Sequence, residues 1–214
     1  MAAFVLALHV DRLAANGALP APLDAANRVV YVREGDATIR AAGQAATLAA
    51  NSAWHGAVPC EITGGNDGAT LLRWELLPAG PASAGAATLA HAVELARPGG
   101  YLMRCDRVDF PLAGIAYTHT HEGPGIRCLL TGELRVNVSN VVVHAIEPGE
   151  AWFETGPDPV LAHASEREPT SFVRVMILPR ELKGKTSIRY VRAEDQDKPK
   201  TQRYQLFCDE WISL

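Results

Sequence analysis

The sequence is most easily bounded by what it does not contain. No run of apolar residues approaches the eighteen or so needed to cross a bilayer, and Met1 to Val10 has neither a basic leader region nor a cleavage-like end. Those absences predict a cytoplasmic protein with no membrane partner. The four cysteines, Cys60, Cys105, Cys128 and Cys208, are scattered without a C-x2-C pair, which excludes a zinc knuckle and a disulfide framework and predicts reduced, mostly buried thiols. Neither sign of charge dominates: 20 Lys and Arg against 24 Asp and Glu leave a net charge of -4, with no electrostatic footprint for nucleic acid. Aromatic residues make up only 7% of the chain. No G-x-S-x-G, H-E-x-x-H, P-loop or dinucleotide fingerprint occurs, and the G-x-G at Gly123 to Gly125 opens no helix. A small molecule is the partner that these exclusions leave.

What is present is a succession of short β-prone runs. At 214 residues with 48% apolar composition, the chain can bury one large β domain or two small ones. Phe4 to Val10, Arg28 to Arg33, Ala37 to Arg40, Thr47 to Ala53 and Leu71 to Leu77 read as strands separated by glycine, proline and asparagine turns. The second half repeats the order of the first. V-Y-V-R-E-G ending at Gly35 matches L-L-T-G ending at Gly132; S-A-W-H ending at His55 matches E-A-W-F ending at Phe153; L-L-R-W-E-L-L-P ending at Pro78 matches F-V-R-V-M-I-L-P ending at Pro179. Arg73 and Arg174 fall on matched places, which favours a structural role for both. Between the copies, Ala79 to Ala87 is linker-like, and Leu89, Val93 and Ala96 are spaced for a short helix over Thr88 to Arg97 that Pro98-Gly99-Gly100 would stop.

Chemistry concentrates in Gly114 to Glu133. His119 and His121 are one residue apart, so in a strand both imidazoles lie on one face. Ile115 to Thr120 is β-prone, Gly123-Pro124-Gly125 is a turn, and Ile126 to Thr131 is apolar apart from Arg127; together they predict a hairpin whose inner face carries nitrogen ligands. Arg127 has the parity of the two histidines. Buried there, it must be paired or must dock an anion, as an internal salt bridge to Glu154 or as a clamp for a substrate carboxylate. Glu122 is out of phase with the pair and is expected to face solvent. Tyr117 and Trp152 are read as aromatic core; His9, His55, His91 and His144 show no ligand spacing.

These residues resemble the first motif of the cupin superfamily, G-x5-H-x-H-x3,4-E-x6-G. Gly114, His119, His121 and Gly132 follow it with one residue fewer after the first glycine; the glutamate of the motif would fall on Gly125 and is missing. The second motif, G-x5-P-x-G-x2-H-x3-N, would begin at Gly149 and set its histidine on Val160, whereas the chain offers Glu154 and, three residues later than the motif, His163. Either could be the third ligand beside His119 and His121: His163 if the Gly156 to Pro159 turn is lengthened, Glu154 as the carboxylate of a two-histidine, one-carboxylate triad. The offsets of the histidines from Gly132, applied to Gly35, land on Pro22 and Asp24, so the first copy has no such pair.

The resemblance implies an all-β fold of two cupin-like double-stranded β-helix (jelly-roll) barrels with one short linker helix. Residues 1–80 would form a degenerate barrel, 81–100 the linker, 101–182 the metal-binding barrel and 183–214 a tail packed on a barrel or on a dimer partner. It implies one divalent metal per chain, Fe(II) favoured, although neutral imidazole suits Mn, Ni, Cu and Zn as well. The implied function is a non-haem Fe(II) dioxygenase acting on a small organic acid or dicarbonyl-like substrate, with Arg127 and Glu154 as catalytic groups. The alternatives are a metal-dependent isomerase, lyase or decarboxylase, and a non-catalytic small-molecule-binding cupin. A homodimer is implied on the same ground.

Overall fold

The computed structural model describes residues 2–80, 86–96, 100–138 and 141–214, without the side chains of residues 2 and 141–144. About two thirds of the described residues are β-strand, and the only helical pieces among them are two short 3-10 turns, Arg180–Leu182 and Ala193–Asp195. The strands are β1 (Ala2–Leu13), β2 (Asn27–Ala41), β3 (Gln44–Ala49), β4 (Ser52–Gly56), β5 (Cys60–Pro78) and β6 (Leu89–Leu95). Then follow β7 (Tyr101–Phe110), β8 (Ile115–His121), β9 (Gly125–Thr131), β10 (Leu134–Val138), β11 (Val141–Ile146), β12 (Ala151–Glu154), β13 (Val160–Ala164), β14 (Thr170–Pro179), β15 (Ile188–Tyr190) and β16 (Arg203–Ile212).

The chain divides into two compact units, residues 1–98 with 212–214, and residues 99–211. In the first, the strands run in the order β3-β2-β5-β1-β6, with β4 also on β2. The long strands β2 and β5 change direction at bulges, between Val32 and Glu34 and between Gly35 and Ala37, where Gly35 has φ +74° and its missing Cβ leaves room for the carbonyl of Gly68. In the second unit, two five-stranded sheets, β11-β10-β13-β8-β15 and β12-β9-β14-β7-β16, pack their apolar faces around Val108, Phe110, Leu134, Val136, Val160 and Phe172.

Three sequence expectations are corrected by this architecture. The helix over Thr88 to Arg97 is strand β6, antiparallel to β1 with Leu8 opposite Leu89 and Leu6 opposite His91. Helix propensity there is a weak preference, and the same run also alternates: Val93 and Leu95 are buried while Ala92 and Glu94 are exposed, so pairing on β1 wins. The segment read as linker thus completes the first unit, and residues 81–85 and 97–99 lie outside the described set. Second, β8 and β9 are not a hairpin. β8 pairs with β13 and β15, β9 with β12 and β14, so the turn at Glu122 to Pro124 carries the chain from one sheet to the other. Gly123 permits this crossing, because a Cβ there would fall 2.1 Å from the carbonyl oxygen of Ile177.

The third correction concerns the repeat. Arg73 stands opposite Val30, and Val30 opposite Trp54; Arg174 stands opposite Arg127, and Arg127 opposite Trp152. The strand pairings of the two units therefore match in register, and Leu23, bridged to Cys60, takes the place that His119 holds against Val160. Counting residues alone had pointed to Pro22 and Asp24, one position off, because the loop before β2 differs in length from the turn before β9. Leu23, Val30 and Gly56 thus occupy in the first unit the places of His119, Arg127 and Glu154 in the second. There the first unit has a closed ion network instead: Arg28 on Glu75 at 2.5 Å, and Arg73 on Glu75 at 2.9 Å and on Asp11 at 2.7 Å.

Candidate metal centre

Inside the second unit, the two sheets enclose a cavity of about 30 Å³, lined by His119, His121, Arg127, Trp152, Glu154 and Val160 among others. That is the space of one or two water-sized ligands. β8 delivers both imidazoles from one face, as period-two geometry requires, and both are buried. The N–H of His121 is pinned to the carbonyl of Gly156 at 2.7 Å; Gly156 sits at φ +106° and its missing Cβ would collide with the backbone of Gly123. The end of β8 is thereby fixed against the glycine-proline turn before β13.

The two rings meet edge to face, with His119 Nε2 3.2 Å from His121 Nε2. His119 Nδ1 donates to the carbonyl of Tyr117 at 2.7 Å, which fixes its proton there and turns a bare Nε2 into the cavity. A cation 2.0–2.1 Å from both Nε2 atoms would subtend an angle of about 100°, between octahedral and tetrahedral values, so the imidazole pair fits a transition metal. Burial lowers the basicity of His119, and of His121 still further, where the positive charges of Arg174 and Arg127 add to the effect. Both rings are held neutral, the form that ligates.

Glu154, at the end of β12, brings Oε2 to 3.5 Å from His121 Nε2 and 2.6 Å from Nη2 of Arg127. Its Oε1 accepts the indole N–H of Trp152 at 2.9 Å. Although Glu154 Oε2 and Arg127 Nη2 are close, both are buried and neither makes a hydrogen bond of good geometry. An under-satisfied buried carboxylate oxygen beside two neutral imidazole rings is a donor set suited to a divalent cation. Among the described residues no three His, Cys, Asp or Glu side chains are already gathered at metal-holding spacing; Glu154 leans toward Arg127. Complete desolvation brings the Arg127 guanidinium down to about 10, a shift that the Glu154 charge opposes. Its Nη1 donates to the carbonyl of Gly125 at 2.5 Å. Arg127 is therefore the internal salt bridge rather than a free clamp.

His163 is not at the site. It follows the cavity-lining Val160 and Ala162 on β13 but points out of the barrel, exposed, opposite Arg135 and Ile115. A bulge does interrupt the pairing between Val160 and Ala162, but it does not bring His163 inward. Val160, where the cupin motif would set a histidine, stands opposite His119 and is apolar. Glu122 is half-buried and paired with Arg189. Arg174 is buried and held in a two-pronged pair with Asp106 at 2.6 and 3.2 Å. The side chain of His144 lies outside the described residues.

The C-terminal segment supplies what sequence reasoning missed. Ile188 and Tyr190 of β15, Gln202, and Tyr204 of β16 line the same cavity, and Ser187 reaches His121 Nδ1 at 3.4 Å. The sequence marks this segment only as a tail packed on a barrel or on a partner, and nothing short of the register of β15 on β8 marks Ser187.

No family model matches this sequence, and no curated protein does. Among solved structures, the chain is similar to oxalate decarboxylase from Bacillus subtilis, at TM-score 0.67 and 11% identity over 92% of this chain and 74% of that one. It is similar to the 11S allergen of Cocos nucifera, at TM-score 0.67 and 9% identity over 91% and 85%. It is also similar to salicylate 1,2-dioxygenase from Pseudaminobacter salicylatoxidans, at TM-score 0.59 and 9% identity over 95% and 75%. These neighbours are cupin-fold proteins, and the likeness is one of fold.

Proposed function

We propose that the second unit is a mononuclear metal centre in which His119, His121 and Glu154 hold a divalent ion, and that the protein is a non-haem Fe(II) dioxygenase acting on a small organic acid or dicarbonyl compound. The observation that carries this reading is the 3.2 Å approach of two buried, neutral imidazole nitrogens with a carboxylate oxygen 3.5 Å from one of them. Iron bound by two histidines and one carboxylate supplies the redox chemistry that dioxygen requires, with coordination positions left for small ligands.

The chain's own residues prepare that site. The carbonyl of Tyr117 fixes the tautomer of His119, and Trp152 holds one oxygen of Glu154 so that the other faces the histidines. Arg127 pairs with Oε2 of Glu154 at 2.6 Å and limits how far the carboxylate can swing. Phe110, Val136, Val160 and Phe172 form apolar walls that exclude water and favour a compact substrate. Decarboxylase and dioxygenase chemistry both occur among the fold neighbours, so the fold does not choose between them.

Metal analysis of protein purified without chelator, followed by oxygen-electrode assays over a panel of small carboxylic and dicarbonyl acids, tests the proposal. About one iron per chain and acid-dependent oxygen uptake are expected. Zinc as the native occupant, or turnover with no oxygen consumed, would replace the dioxygenase with a Lewis-acid isomerase, lyase or decarboxylase.

A further inference from the structure

His119 Nδ1 faces only a carbonyl oxygen, so it carries the ring's proton and His119 Nε2 is bare. His121 Nε2 lies 3.2 Å away, and two bare lone pairs at that distance repel. Without a cation between them, His121 must therefore carry its proton on Nε2 and donate it to His119. Its Nδ1 is then an acceptor, and the group 3.4 Å from that nitrogen is the hydroxyl of Ser187. To ligate through Nε2, His121 has to carry its proton on Nδ1 instead, where the facing group must be an acceptor.

A hydroxyl can do both, provided its own hydrogen has somewhere to go. Ser187 Oγ lies 4.0 Å from Met176 Sδ, a weak acceptor placed for that hydrogen. Ser187 is buried, which holds its hydroxyl at these two contacts. The loop that carries it is also tied down. Arg104 donates to the carbonyls of Leu182 at 2.6 Å and Lys185 at 2.8 Å, and its ion pair with Asp209 is shared by the N–H of Gly184. The N–H of Glu122 binds the carbonyl of Ser187 at 3.2 Å, and Ile188 stands opposite His121.

We propose that Ser187 is the positioning residue of His121 and serves both of its tautomers, donating to Nδ1 when the site is metal-free and accepting from Nδ1–H when a metal is held. The ring gives up one proton at Nε2 and gains one at Nδ1, so its charge is unchanged. The inference rests on the metal reading above.

Two-bond nitrogen-proton NMR on the histidine rings, with and without Zn(II), reads the tautomers without any variant. His121 is expected to be Nε2–H in metal-free protein and Nδ1–H with Zn(II), while His119 stays Nδ1–H in both. Co(II) titration then compares wild type with Ser187→Ala, for which about tenfold weaker binding is expected, and with Ser187→Thr, which keeps the hydroxyl and should recover most of the loss. An Nδ1–H tautomer of His121 in the metal-free protein, or equal Co(II) affinity in wild type and Ser187→Ala, would overturn the assignment of Ser187 alone. Failure of the wild type to take up either ion would overturn the metal reading together with it.

Discussion

Nη2 of Arg127 lies 2.6 Å from Oε2 of Glu154 in the interior of the second unit, whereas the matched places in the first unit hold Val30 and Gly56. The first unit thus makes the same strand pairing without this ion pair. Removing one partner is another matter, since it strands a charge in a low-dielectric core. Arg127→Met and Glu154→Gln are each expected to lower stability, the former by about 3–5 kcal/mol. The double variant Arg127→Leu/Glu154→Leu should be more stable than Arg127→Met. Chemical denaturation of metal-free protein reads all of these, and a double variant worse than the single would show the pair to be structural.

Acidification provides a second test. Burial lowers the proton affinity of His119 and lowers that of His121 further, so between their folded-state values and the ordinary value near 6.5 the unfolded chain binds protons that the native chain does not. Stability is therefore complete above about pH 6.5 and falls as pH drops below it, by up to about 1.4 kcal/mol per pH unit for each ring. Denaturation midpoints of the metal-free protein at pH 7.5 and 5.5 should separate in wild type and draw together in His119→Gln/His121→Gln.

How the sequence conveyed this site, and where it did not, follows from which constraints are local. The parity that puts His119, His121 and Arg127 on one inner surface is a property of strands and survives any topology. Glu154 was legible as the carboxylate expected beside Arg127 or the histidines, and it lies 2.6 Å from Arg127 and 3.5 Å from His121. The fate of His163 depended on whether the turn absorbed two or three extra residues, which only the register of β13 on β8 decides. The β8–β9 hairpin failed for a related reason: Gly123-Pro124-Gly125 announces a change of direction but not which sheet receives the chain. Thr88 to Arg97 has helix-forming residues and strand alternation together, and the available edge of β1 settles it. Ser187, Tyr190 and Tyr204 came from a segment with no motif at all.

The ligand assignment can be tested residue by residue. His119→Ala and His121→Ala should each lose metal affinity by about 100-fold or more, the expectation for removal of a first ligand where second-sphere changes cost 10- to 100-fold. Glu154→Ala should lose a substantial part as well. His163→Ala, on the outer face, should bind as wild type does. Isothermal titration with Zn(II) checks the series; a loss in His163→Ala equal to that in His119→Ala would restore His163 as a ligand. Stoichiometry should be one ion per chain, since Leu23 occupies the first unit's matching place.

Access to the cavity is the last consequence of the C-terminal strands. Outside the inner chamber of about 30 Å³ lies a cleft of about 440 Å³, and the two share Arg174, Ile188, Tyr190 and Tyr204 as a common wall. Arg174 is locked to Asp106 and buried, while Tyr204 is half exposed, with the guanidinium of Arg174 5.8 Å from its ring centroid. Tyr204 is therefore the member of the wall that can yield at least cost. Tyr204→Ala should join the chamber to the cleft and speed removal of a bound ion by a chelator several-fold, while affinity at equilibrium changes little because no ligand is touched. Stopped-flow transfer of Co(II) to EDTA separates the two quantities. An unchanged release rate in Tyr204→Ala would place the route to the histidines on another side of the barrel.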